Sequence, residues 1–269
     1  MQLDNIIIAL KLRSPWEAMD LGVMVMRRMW RVIFMPWLIL ISIILSFILF
    51  TGYHGYWLFA SVFMWLIKPV YESMILHILS RAVFGEYLTT GEVFSMFGKW
   101  LKTGLKTSFT FWRFSPSRAF NMSVHLLEGL TGHERKQRLN TLHRVTGWHA
   151  SGLTIIGVHF EMIFSLALYA LLFFIMPNLF QGFLTYSVDQ ETNKMMWMFA
   201  GSIVYAIALF ILEPFYVASG FMLYLNRRIQ LEGWDIELDF KKLAQRLNNA
   251  SDLHSQKNIN LSELVKDES

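Results

Sequence analysis

VIFMPWLILISIILSFILF, residues 32–50, decides the fold, because these nineteen positions hold no ionisable side chain. A hydrocarbon core about 30 Å thick is crossed by roughly 20 apolar helical residues, so this stretch reads as a membrane span. Three more qualify. Residues 57–79 are apolar except for Lys68, Glu72 and His77. Residues 152–176 carry His159 and Glu161, and residues 195–225 carry Glu213 followed by Pro214. The last stretch is too long for a straight perpendicular crossing, which predicts tilt, a kink at Pro214 or an end in the interface.

Composition agrees. Of 269 residues, 54% are apolar and 16% charged, against about 25% charged in a soluble domain. Mean hydropathy is +0.39. Too few polar side chains remain to coat a soluble enzyme of this size, and a disordered or collagen-like chain is excluded as well. Cysteine is absent. That removes disulfides, thiolate metal sites, a cysteine nucleophile and cysteine lipidation together.

Cations orient the chain. With four spans, 22 of the 24 Lys and Arg residues fall on one side, and the positive-inside rule makes that side cytoplasmic. Both termini are then expected inside, with short outer loops and a cytoplasmic loop over 80–151. A cleaved signal peptide is not expected, because the first apolar run begins only at residue 32 and is long enough to remain as a span.

Amphipathic segments line the cytoplasmic boundary in this reading. Ser14-Pro15-Trp16-Glu17 is a helix start: serine caps, proline takes the first position and glutamate reaches back. The helix that follows sets Trp16, Met19, Val23, Met26 and Trp30 on one side, and is expected along the bilayer surface before turning into the first span. Phe94, Phe97, Leu101, Leu105, Phe109 and Trp112 recur at helical spacing. Lys99, Lys102, Lys106 and Arg113 fall mostly on the opposite side, with Trp100 and Trp112 as aromatic anchors. This predicts a helix in contact with anionic lipid headgroups. The basic run from His133 to Arg144 reads as a solvated face. Nucleic-acid binding is not expected, since no recognition module is present. After Trp234, Ile236, Phe240, Leu243 and Leu247 make one more short amphipathic helix, and residues 248–269 are polar and without period.

Ionisable groups inside spans are expensive and usually face a bundle interior. Counted along each helix, Lys68 and Glu213 fall near midplane, with Glu72, His159 and Glu161 somewhat nearer the cytoplasm. Lys68 can pair with Glu213 across helices or with Glu72 one turn away, and Glu72 with His159 can form a second layer. The five residues are candidates for a proton or ion path, or for a buried cluster that fixes helix register. His159, Glu161, Glu72 and His77 are ligand types. His-x-Glu nevertheless points its two side chains to different faces of a helix, so no metal site is assigned. No G-x-S-x-G, H-E-x-x-H, Walker or G-x-G-x-x-G motif occurs. Enzymatic activity is not expected, and the abundant Met and Phe need no cofactor.

Three stretches carry a resemblance: Arg13 to Gly22 (RSPWEAMDLG); Lys68-Pro69-Val70-Tyr71-Glu72 with Ser80 to Glu86 (SRAVFGE); and Pro214 to Ala218 (PFYVA) leading to Leu223 to Arg228 and Leu231 to Glu237. Over most of residues 10–247 the chain resembles a family of uncharacterised multi-pass inner-membrane proteins of Gram-negative bacteria. The last stretch is more distantly similar to membrane domains attached to glycerophosphodiester phosphodiesterases. The hydrolase domain of those enzymes has no counterpart here, so no phosphodiesterase activity is implied. The resemblance implies location and topology, and no site.

The expectation is an all-α integral membrane bundle of four spans with cytoplasmic-side amphipathic helices. Its leading role is a non-enzymatic scaffold or accessory subunit that docks partner membrane proteins. A small transporter or permease component using the Lys/Glu/His cluster is the alternative, and an intramembrane lipid-modifying enzyme a third.

Overall fold

The computed structural model describes residues 11–108, 114–175, 190–234 and 240. Every regular element among them is an α-helix: α1 (Pro15–Tyr53), α2 (Trp57–Val83), α3 (Thr90–Ser95), α4 (Phe97–Ser108), α5 (Arg118–Glu128), α6 (Gly132–Ile175) and α7 (Gln190–Glu232). Four of them, α1, α2, α6 and α7, are long and apolar enough to cross a membrane. The chain is an all-α membrane protein. Trp112 and Arg113 lie outside the described residues, as do Ile236, Leu243, Leu247 and the tail beyond residue 240.

Ser14 caps α1 as its sequence predicts. Its Oγ accepts from the Glu17 amide at 3.3 Å and its own amide donates to the Glu17 carboxylate at 2.9 Å. The helix then runs unbroken for 39 residues, about 58 Å at 1.5 Å per residue. The expected surface helix that turns into a span is therefore one continuous rod. Its register explains why: Met19, Gly22 and Met26 are buried and supply a packing face for α7. Ser219 Oγ donates to the Met19 carbonyl at 3.1 Å. A Cβ on Gly22 would stand 2.5 Å from the Ser219 Cα, so the backbones touch there because the residue is glycine.

Next comes a tight turn, with Gly55 at φ +84°. α2 packs against α1, α4 and α7, and from Pro69 to Ser80 every residue is buried. A helical stretch buried on all sides belongs at a bundle centre. α6 takes the opposite position. None of the residues in its most apolar window is buried, and Ile163, Leu166, Leu171 and Phe174 stand exposed. In water that surface would drive aggregation, whereas hydrocarbon accepts it.

Residues 80–151 do not form a separate loop. α3 to α5 fill the first part, and α6 begins at Gly132, well before the apolar run expected from 152. α4 descends alongside α2. His77 Nε2 meets Met96 Sδ at 3.4 Å, Ser73 Oγ donates to the Trp100 carbonyl at 2.6 Å, Gly104 abuts the Val70 backbone, and Phe114 packs on Trp65. The chain then returns, so that Arg118 at the start of α5 reaches Glu72. The α4–α5 segment is thus a hairpin that reaches the middle of α2.

That geometry corrects the lipid-contact assignment at Trp100. The side chain is fully buried, donates from Nε1 to the Val93 carbonyl at 3.0 Å and packs edge-on to Phe97. Lys99, Lys102 and Lys106 are exposed on α4. The helix that carries them packs lengthwise along α2.

Candidate functional site

Lys68 sits near the middle of α2, one residue before Pro69. Its Nζ lies 2.8 Å from Glu161 Oε2 of α6 and 3.0 Å from Glu213 Oε2 of α7. One ammonium therefore joins three helices. Glu161 and Lys68 keep slight exposure, while Glu213 is 3% exposed. Tyr205 of α7 stands beside Glu161.

One turn along α2, Glu72 is completely buried and turns to α5. Arg118 donates to both its oxygens, from Nε at 2.8 Å and from a terminal nitrogen. The planar fork of Arg matches a carboxylate in this way, and Lys could not replace it. Tyr216, whose hydroxyl is 3.0 Å from Thr154 Oγ1, lies within electrostatic reach of both partners.

Of the five cluster residues expected from sequence, the structure brings together four: Lys68, Glu72, Glu161 and Glu213. Lys68 and Glu72 do not pair with each other, because each has a partner on another helix. His159 is not part of the cluster. It is exposed, and its Nδ1 donates to the Ile155 carbonyl at 2.7 Å on its own helix. It lies two positions before Glu161, and that spacing turns it away. A His159–Glu72 layer is therefore not formed. Among the described residues no group of three His, Cys, Asp or Glu side chains converges as metal ligands would.

Arg118 had no signal in the sequence. It lies in a segment read as outside the membrane, so matching it to the depth of Glu72 required the hairpin.

The ion pairs form the inner wall of a cavity of about 330 Å³ between α6 and α7. Lys68, Arg118, Glu161 and Glu213 line it on the polar side, and Leu153, Ile156, Phe160, Leu212 and Phe215 on the apolar side. The lining residues Val23, Ile156, Val158 and Phe160 are also among the exposed large apolar side chains, so the rim is apolar. Gly157 leaves room for the Tyr216 ring, which a Cβ there would meet at 3.1 Å.

Two polar atoms remain over. Glu213 Oε1 and the Tyr71 hydroxyl are buried without a hydrogen-bond donor among the described residues, and the Glu72 carboxylate stands within reach of Glu213. Charge is also unbalanced. Three carboxylates, Glu72, Glu161 and Glu213, face two cations, Lys68 and Arg118, among the described residues.

Comparison with protein families, curated proteins and solved structures finds no match for this chain.

Proposed function

We propose that this chain is a small transporter or permease component of the bacterial inner membrane, with both termini cytoplasmic, and that its central site carries one exchangeable proton. The observation that supports it is the uneven charge at the cavity wall. A net negative charge at this depth is expensive, and one proton cancels it. Glu213 is the carboxylate that fits. Arg118 grips both oxygens of Glu72, Glu161 is partly exposed beside Tyr205, and Glu213 keeps one buried oxygen unpaired.

The groups that face Glu213 are Lys68, Tyr71 and Glu72 from α2, Glu161 from α6, Tyr205 and Tyr216 from α7 and Arg118 from α5. α1 contributes only Val23 to the cavity lining. Placement in an inner membrane and cytoplasmic termini rest on the one-sided distribution of Lys and Arg and on the resemblance described above.

Infrared spectroscopy of the purified protein in lipid nanodiscs tests the proton. A protonated-carboxyl band at neutral pH, missing in Glu213→Gln, is expected. Its absence from the wild-type chain would overturn the reading. Lys68→Met combined with Glu161→Gln and Glu213→Leu should insert and fold, because no partner of the removed ammonium is then left as an orphan charge. It should also lose the band.

A scaffold or accessory role is the second reading, for which the exposed apolar face of α6 would be the docking surface. Co-purification of a stoichiometric membrane partner in mild detergent, lost on substitution of that face, would support it.

A further inference from the structure

We infer that the cavity between α6 and α7 binds an amphiphile with one positive charge, an ammonium head on a short apolar tail, entering from the lipid side. The inference rests on the proton site proposed above and names its competitor: the ammonium takes the place of the proton at Glu213.

Four observations converge. The cavity, at about 330 Å³, falls at the lower end of the range for small-molecule sites. Its rim carries Val23, Ile156 and Phe160, all exposed and apolar, so a tail reaches it from hydrocarbon without crossing water. At its inner wall stands the Glu213 carboxylate, one oxygen of which is buried with no hydrogen-bond donor among the described residues. The surrounding charges leave one negative charge over, which a single cation neutralises.

An anionic head fits less well. Both cations in the wall are already engaged, Arg118 by two hydrogen bonds to Glu72 and Lys68 between Glu161 and Glu213. A carboxylate or phosphate would have to displace one of these buried partners. A neutral head would leave the proton on Glu213 and gain no ion pair in exchange.

Binding and release are therefore linked. As R–NH3⁺ enters, the Glu213 carboxyl gives its proton to solvent and the resulting carboxylate accepts from the ammonium. No covalent bond forms, and charge in the site is conserved. The two occupants exclude each other, which is the coupling an exchanger needs.

Octylamine, octanol and octanoate share one tail and differ in head charge, so they separate the possibilities. Each is titrated into wild-type protein in nanodiscs, with empty nanodiscs subtracted, while the carboxyl band is followed in parallel. Octylamine should bind saturably, at least tenfold more tightly than octanol, and abolish the band; octanoate should not saturate. Glu213→Gln should reduce octylamine to the level of octanol. Ile156→Trp, which narrows the mouth from its exposed side, should weaken octylamine at least tenfold and so guards against misreading a misfolded Glu213 variant. Equal binding of all three, or tighter binding of octanoate, would overturn the inference. A wild-type band that octylamine leaves untouched would overturn it too, while the proton site stands. Saturable, charge-selective octylamine binding without any band would support the ligand class and sink the proton reading.

Discussion

Arg118 holds Glu72 by both carboxylate oxygens, and it does so from α5, a helix of eleven residues that does not span. The fully buried carboxylate of a central helix thus depends on the α4–α5 hairpin for its counter-charge. Ser73 and Gly104 show the same dependence in packing, one through a hydrogen bond to α4 and the other through backbone contact.

Removing only the arginine leaves an uncompensated buried charge. Arg118→Met should lower stability by about 3–5 kcal/mol, whereas Arg118→Met with Glu72→Leu should come within about 1 kcal/mol of wild type. Reversible unfolding in mixed detergent and dodecyl sulfate measures both. Equal losses in the single and double variants would mean that hairpin packing, not charge, sets the cost.

The α1–α7 contact depends on a missing side chain. Gly22→Val should cost about 1–3 kcal/mol, because the added atoms meet Ser219 backbone, which has little room to give way. Gly98 in α4 has open space where a Cβ would go. Gly98→Ala should therefore be neutral or slightly stabilising, since alanine favours helix. Thermal unfolding of the pair separates close approach from simple helix propensity.

Trp100 tests the corrected role of α4 directly. If the ring packs between α3 and α2, Trp100→Ala should cost about 3–5 kcal/mol. Lys99→Gln with Lys102→Gln, both exposed on α4, should change stability by no more than about 0.5 kcal/mol. Lipid-attached quenchers should leave Trp100 fluorescence largely unaffected, which requires a variant that retains Trp100 as its sole tryptophan.

The four spans were legible because length and apolarity determine them without tertiary information. Of the two carboxylates that meet Lys68, Glu213 was legible for a related reason, whereas Glu161 was counted somewhat nearer the cytoplasm and given no partner. Counting along two apolar helices placed Lys68 and Glu213 at one level, and the two lie 3.0 Å apart. Periodicity could not show what the apolar face of α4 packs against. Phe97 and Leu101 recur with the same spacing whether a helix lies on lipid or along α2, and Trp100 interrupts the basic face because it is the residue turned inward. Met19 and Met26 were ambiguous in the same way. His159 was misplaced because depth was counted without its angle about the α6 axis.

Burial pushes the His125 imidazole below its ordinary value of 6.5, and the positive charges of Lys106 and Arg135 act in the same direction against the Leu130 carbonyl, which favours the charged form. The folded chain therefore binds fewer protons than the unfolded chain just below pH 6.5. Stability from this group is complete above that pH and is lost as pH falls towards and through the lowered value, by at most about 1.4 kcal/mol per pH unit. His125→Gln should flatten that part of the profile in unfolding measurements between about pH 7 and pH 5. A slope unchanged by the substitution would assign the acid sensitivity elsewhere.

The final prediction concerns the clamp that joins α5, α6 and α7. Tyr224 donates to Glu128 Oε1 at 2.6 Å, Arg138 donates to both Glu128 oxygens at 2.8 and 3.0 Å, and Glu232 is shared by Arg138 and Arg228. The members differ in exposure: Tyr224 is fully buried, while Glu232 and Arg138 are about a quarter exposed. Salt should therefore separate them. Tyr224→Phe removes a buried hydrogen bond to a charged acceptor, and should cost about 1.5–3 kcal/mol with little dependence on ionic strength. Glu232→Gln weakens a partly solvated pair and should cost about 1 kcal/mol or less, falling further as salt shortens the Debye length to about 3 Å near 1 M. Unfolding at low and high salt reads the difference, and an equal salt response in the two variants would show that the clamp acts as one solvated network rather than around a buried tyrosine.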